Sequence, residues 1–276
     1  MATQYLMVGK SDDHGGTWPV LYGASPASIG LIGLPALLIT ADVRLVAYTD
    51  GASGAAIVQR LGPDGQPIGA LATLGLTTRE LYSDAQFLDA GFALAASGRH
   101  VVALWHAAGA HLAVSVSDDA GATWRLTAPI SDTSVWASPQ LLVDGGQFVA
   151  LVDEANGGRS ASHLELERST DGGATWTTGP ALSNGLVALG GTVAHANGAW
   201  SLLYSACSGW LVCTTRPGIW YRSSGDGLRW TDPQPLTAAG TYFALGTGGV
   251  GNRTWAIWEH DLSASDEDRT IAGAFR

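Results

Sequence analysis

The chain has 276 residues, 46% of them hydrophobic, with 37 Gly and 11 Trp, enough for one large core or two small ones, and is read as one domain, 1–276. Its formal charge is -10 and its one lysine is Lys10, which argues against a surface tracking nucleic-acid phosphates and for a neutral or locally recognised ligand. No apolar run approaches the roughly 18 residues a membrane helix requires, and "MATQYLMVGK" lacks the basic and apolar regions of a signal peptide.

The first element in chain order is a turn, "SDDHGGTW" from Ser11 to Trp18. It returns as "SDDAGATW" from Ser117, as "STDGGATW" from Ser169, and in degraded form as "SSGDGLRW" from Ser223. The third residues, Asp13, Asp119, Asp171 and Gly225, leave gaps of 106, 52 and 54. Half of the first gap is 53, and a weakened copy, "LGPDGQPIG" with Asp64 and Gly65 in a turn, stands there. Five copies therefore tile the chain.

Between the turns the same strand order recurs. "LLITADVRLVAYTDG" precedes "AAIVQRL", and "ALAASGRHVVALWHA" precedes "HLAVSVS". "SPQLLVDGGQFVALVDE" precedes "SHLELERS", "TVAHANGAWSLLYSA" precedes "GIWYRSS", and "TGGVGNRTWAIWEHD" precedes "TIAGAFR". Each pair reads as an antiparallel hairpin and a third strand, with the Asp turn leading to a fourth. "SHLELERS" alternates apolar and charged residues at period two, the pattern of a half-exposed strand. No stretch carries sustained helical spacing. Small sheets of this kind bury both faces by packing radially, so the expected fold is all-β: a β-propeller of five four-stranded antiparallel blades, closed by the chain termini.

Within the turn, Asp accepts backbone N–H groups, Gly supplies positive φ, Thr closes the loop and Trp lays its ring on a neighbouring sheet. Asp13, Asp119 and Asp171 are thus read as structural.

The motif S-x-D-x-G-x-T-W at this repeat length resembles the Asp-box, or BNR, repeat of sialidases and related propeller proteins. That resemblance implies box turns on one face of the propeller and ligand chemistry on the other. For a sialidase-like hydrolase it further implies three arginines on the substrate carboxylate, a tyrosine nucleophile assisted by a glutamate, and an aspartate acid/base. The N-terminus departs from the family, with no F/Y-R-I-P segment and no Arg before Arg44.

By this sorting Arg79, Arg159, Arg216 and Arg269 fall on the ligand side. The second strands end in Tyr48, Thr49 and Asp50; Trp105 and His106; Asp153 and Glu154; Tyr204 and Ser205; and Trp258, Glu259, His260 and Asp261. Aromatic faces beside carboxylates suit sugar rings, although Trp105 and Trp258 also fit packing between blades. Connecting loops add Tyr82, Asp84, Trp136 and Tyr242. Under the family's chemistry Arg79, Arg159 and Arg216 or Arg269 form the clamp, Tyr242 or Tyr82 the nucleophile, Glu154 or Glu259 its partner, and Asp84 or Asp50 the acid. Alternatively Glu154 with Glu259, or Asp153 with Asp50, runs two-carboxylate hydrolysis. The carboxylates differ between blades, which favours one central site. The reading is a glycan-directed, sialidase-like glycoside hydrolase, with a lectin-like or partner-binding propeller as the alternative, no cofactor and no metal. Cys207 and Cys213 frame "CSGWLVC", either a loop-closing disulfide of a secreted or cell-surface protein or two small apolar residues of a cytosolic one.

Overall fold

The computed structural model describes residues 6–9, 11–23, 35–50, 52–77, 91–108, 111–130, 134–135, 139–155, 162–183, 187–207, 218–237, 241–250, 253–261 and 269–275. Among them every regular element is a strand. The chain divides into two compact units, Met1–Asp132 with Thr170–Thr175, and Thr133–Ser169 with Trp176–Arg276.

In the first unit, β1 (Met7–Gly9) and β2 (Val20–Gly23) flank the first Asp turn and pair antiparallel. A four-stranded meander follows: β3 (Ala36–Ile39), β4 (Arg44–Asp50), β5 (Ala55–Leu61) and β6 (Pro67–Leu76). A second runs β7 (Phe92–Ser97), β8 (His100–Ala107), β9 (His111–Ser117) and β10 (Arg125–Leu126). The apolar runs of β4 and β8 are buried on both faces, and Val43, Leu45 and Ala47 share one core cluster with Phe92 of β7 and Val101 and Trp105 of β8. The Thr77–Ala107 bridge stitches these two meanders together, and Thr77 donates from both N and Oγ1 to Gly54 O, at 2.8 and 2.9 Å.

In the second unit, β12 (Gln140–Asp144), β13 (Gln147–Ala155), β14 (Ser162–Ser169) and β15 (Thr177–Thr178) form the expected meander, with β11 (Ser134–Val135) pairing the far end of β13 as an added strand. Next come β16 (Val187–Ala196), β17 (Ala199–Cys207), β18 (Ile219–Ser224) and β19 (Gln234–Pro235). A three-stranded sheet closes the sequence: β20 (Thr241–Val250), β21 (Arg253–Asp261) and β22 (Arg269–Phe275). Val149, Leu151, Leu164 and Leu166 from the first of these sheets share a core cluster with Trp200, Leu202 and Tyr204 from the second.

The hydrogen bonds of the Asp turns are those the sequence requires, although the Trp of the first turn, Trp18, is exposed instead of packed. Asp119 Oδ1 accepts from Thr123 N at 2.8 Å and Oδ2 from Thr123 Oγ1 at 2.7 Å, while Ser117 Oγ accepts from Gly121 N at 2.8 Å. Asp13 and Asp171 take the same bonds from Thr17 and Thr175. Gly121 has φ +83° and lies so close to Leu45 that an added Cβ would sit 2.6 Å from its Cδ2, so neither the backbone nor the space admits a side chain. The fourth turn corrects the sequence alignment. Asp226, not Gly225, supplies the carboxylate, accepting from Leu228 N and Arg229 N at 2.8 and 2.7 Å, with Ser224 as the turn's serine. This turn is one residue shorter, yet Trp230 Nε1 still donates to Gly227 O at 3.1 Å, as Trp124 does to Gly121 O.

These bonds hold Asp13 and Asp119 at about 2, well below the usual carboxylate range, chiefly through the backbone N–H groups of Thr17 and Thr123. A carboxylate depressed on folding contributes stability above its unfolded value near 4 and loses it as the folded group protonates. The melting midpoint should therefore fall between about pH 4 and about pH 2. Asp119→Asn should lower the midpoint at neutral pH and flatten that acid limb; an unchanged acid limb would remove the turn from the protein's acid sensitivity.

A second difference concerns "SHLELERS". Its charged face is not exposed: Glu165 and Glu167 are 4% and 2% exposed, and Leu164 and Leu166 on the other face belong to the core. Both faces of β14 are covered, so alternation here marks two chemically different buried faces instead of one buried and one wet.

Candidate active site

The hairpins that open the five larger sheets close at Thr40 and Val43, Ser97 and His100, Asp144 and Gln147, Ala196 and Ala199, and Val250 and Arg253. Counting from Val43, His100, Gln147, Ala199 and Arg253 aligns the second strands. The fifth residue on is Tyr48, Trp105, Val152, Tyr204 or Trp258; the sixth is Thr49, His106, Asp153, Ser205 or Glu259; the seventh is Asp50, Ala107, Glu154, Ala206 or His260. Aromatic, polar and mixed positions thus succeed one another at the same depth of each sheet.

The aromatic position is largely occupied by packing. Trp105 is 3% exposed, its indole donating from Nε1 to Ser115 Oγ at 3.3 Å. Its ring covers Gly75 so closely that an added Cβ there would lie 2.5 Å from Cη2. Tyr48 is buried with Ala55 and Ile57, against Leu6, and burial followed by the Asp50 charge raises its phenol. Tyr204 is fully buried in the core cluster of its unit, and burial pushes its phenol up to about 12. Gly75→Ala should cost about 1–3 kcal/mol through overpacking, measured by denaturant unfolding; a neutral result would mean that the Trp105 ring yields freely.

The sixth position is polar in all five sheets, and its four described side chains are buried: Thr49, His106, Asp153 and Ser205. Among the described residues, Thr49 Oγ1, Tyr204 OH and Ser205 Oγ have no hydrogen-bond partner. A buried hydroxyl left unpaired costs about 1–3 kcal/mol, and such groups call for an explanation such as a ligand or an ordered water. Asp50 is committed locally: its carboxylate accepts from Ala52 N and Ser53 N at 3.3 and 3.2 Å and from Ser53 Oγ, capping the turn after β4.

For the remaining candidates the backbone gives register. Glu154 pairs with Val135 on β11 and His163 on β14. Glu259 pairs with Phe243 and Ile271, Trp258 with Ala244 and Ala272, and Tyr242 with His260. Arg79, Tyr82, Asp84, Trp136, Arg159, Cys213 and Arg216 lie outside the described residues. On the opposite side, Arg222 is spent on carbonyl groups, donating to Thr231 O and Leu182 O at 2.7 Å each. Among the described residues no group of three or more His, Cys, Asp or Glu is placed to hold a metal ion, and no helix is long and apolar enough to cross a membrane.

No family model matches the chain, and no curated protein matches its sequence. Solved structures do resemble it. The GH93 α-L-arabinofuranosidase of Fusarium graminearum, in complex with arabinobiose, is 13% identical with a TM-score of 0.50, over 67% of this chain and 61% of that one. The α-L-arabinanase of Penicillium chrysogenum, also with arabinobiose, is 14% identical with a TM-score of 0.51, over 83% and 76%. A protein assigned as an exo-β-1,3-galactanase from Bifidobacterium bifidum is 12% identical with a TM-score of 0.50, over 90% and 89%. The likeness is one of fold: an all-β chain of antiparallel sheets consistent with the β-propeller of its neighbours. The chain spans about three fifths of the length of the arabinofuranosidase.

Proposed function

We propose that this chain is a glycoside hydrolase on a five-bladed propeller, with its site at the ends of the second strands. The observation that carries the reading is the buried hydroxyl Ser205 Oγ, without a hydrogen-bond partner among the described residues, at the sixth position, where the other two sheets of the same unit carry Asp153 and Glu259, with Glu154 one residue on from Asp153. A hydroxyl that both donates and accepts, and carboxylates that accept, match the valence of a polyhydroxylated ligand. Glu154 serves as general acid, passing a proton to the departing glycosidic oxygen, and Glu259 as the second carboxylate, acting on water or on the anomeric carbon. The acidic second-strand ends and the formal charge of -10 favour a neutral glycan. The sialidase-like course instead uses Tyr242 as nucleophile and the arginines at 79, 159 and 216 or 269 as clamp.

Thr49 and Ser205 are equivalent residues in two sheets, and both are buried and without a hydrogen-bond partner among the described residues, which favours a second reading, a lectin-like module with repeated sites. A panel of chromogenic arabinofuranosides, galactosides and sialosides separates the readings. Turnover of a neutral glycoside is expected; turnover of the sialoside selects the sialidase-like course, and saturable binding without turnover selects the lectin.

A further inference from the structure

The repeat is broken in one place. At the fifth position of the second strand four sheets carry Tyr48, Trp105, Tyr204 and Trp258, and the sheet of β13 carries Val152. The cross-strand partners of this position are Ile57, Ala113, Trp220 and Ala272 in those four sheets, and Glu165 opposite Val152. An aromatic ring has been exchanged for a small aliphatic side chain and an acid. Packing alone gives no reason for the exchange: Glu165 is 4% exposed, and a buried carboxylate is costly unless paired. Its Oε2 lies 3.3 Å from His163 Nε2, and the imidazole is about a quarter exposed, at 24%. Two residues further along β13 stands Glu154, the register partner of His163. Directly opposed residues of an antiparallel pair stand about 5 Å apart at Cβ.

We propose that Glu165 and His163 form a positioning dyad for Glu154. Glu165 anchors the imidazole from the buried side, and the imidazole belongs to the residue registered directly opposite Glu154. Glu165 and His163 are positioning residues, since neither is assigned a contact with substrate. The inference rests on Glu154 being the general acid of the proposed hydrolase, and it accounts for the one sheet in which the repeat gives up its aromatic residue for an acid.

The test compares wild type with Glu154→Gln, Glu165→Gln, Glu165→Asp and His163→Gln, on the glycoside of the panel turned over fastest and with melting midpoints recorded for each. Glu165→Gln and His163→Gln should lower kcat about tenfold or more, short of the ~10²–10⁴-fold loss for an acid–base group itself, with KM within about twofold because substrate binding is untouched. Glu165→Asp should recover part of the lost kcat by restoring the charge. A purely structural role would lower the melting midpoint and leave kcat of the folded fraction unchanged, and that outcome overturns the dyad. Should one Gln variant fail to fold, the other and Glu165→Asp carry the same comparison. Wild type inactive on every glycoside, or a fully active Glu154→Gln, removes the hydrolase reading and the dyad with it. An inactive Glu154→Gln beside unimpaired Glu165→Gln and His163→Gln removes the dyad alone.

Discussion

Trp200→Ala should destabilise the protein by about 3–5 kcal/mol, the range for truncating a buried large aromatic residue. The indole is 1% exposed and sits in a stack. His195 lies on one side with ring centroids 4.6 Å apart and planes 13° from parallel, and the Arg168 guanidinium lies 5.0 Å from the ring centroid. Each neighbour is itself tied: His195 Nδ1 is 2.8 Å from Asp144 Oδ1, and Arg168 Nη2 donates to Gly227 O at 3.2 Å. Removing the indole therefore opens a cavity among Leu164, Leu166 and Leu202 and frees a cation and an imidazole that other turns use as anchors. Trp200→Phe keeps a stacking face and should lose distinctly less. Trp18→Ala, by contrast, removes a ring that is 66% exposed and should change stability by no more than about 0.5 kcal/mol. Denaturant unfolding of the three variants gives the ranking; equal losses at Trp18 and Trp200 would mean that burial in the stack contributes nothing.

The two tryptophans also show which part of the architecture was legible in the sequence. A turn closed by contacts two to four residues apart, such as Ser117 with Asp119 and Thr123 with Asp119, is written locally, so the motif predicted its hydrogen bonds. Where one residue was missing the local reading slipped, because aligning "SSGDGLRW" on Ser223 put Gly225 in the place of the acid; only the bonds to Leu228 and Arg229 select Asp226. Apolar runs bounded by turns, repeated from sheet to sheet, located the strands, and period-two alternation marked "SHLELERS". It could not tell which face is covered, since that depends on neighbouring sheets. Hence Tyr48 and Tyr204 were read as stacking faces and turned out to be packed, Trp105 took the packing alternative that its position also fitted, and the glutamates of "SHLELERS" were read as wet and are buried. The sequence did hold a signal for Glu165 that was missed: aligned on the hairpins, Val152 interrupts a column of aromatic residues.

Glu154→Gln should lower kcat by about 10²–10⁴-fold on the preferred glycoside with KM nearly constant, the signature of losing proton transfer in the transition state. The amide is close to the carboxyl in size and can still donate a hydrogen bond, but it has no proton to give to the leaving oxygen. Asp50→Asn provides the contrast. Asp50 occupies the same seventh position in its own sheet, yet its carboxylate already accepts two backbone N–H groups and the Ser53 hydroxyl. Its replacement should loosen the turn at Ala52–Gly54, lower the melting midpoint and leave kcat of the folded protein near the wild-type value. Leaving groups of graded basicity sharpen the assignment. If Glu154 is the acid, an activated aryl glycoside that departs without protonation should restore much of the lost rate in Glu154→Gln, while poor leaving groups stay slow. Uniform loss across leaving groups would instead make Glu154 the nucleophile or the base, and an unaltered rate on every substrate would remove it from the chemistry and leave Asp153 and Glu259 as the pair to test.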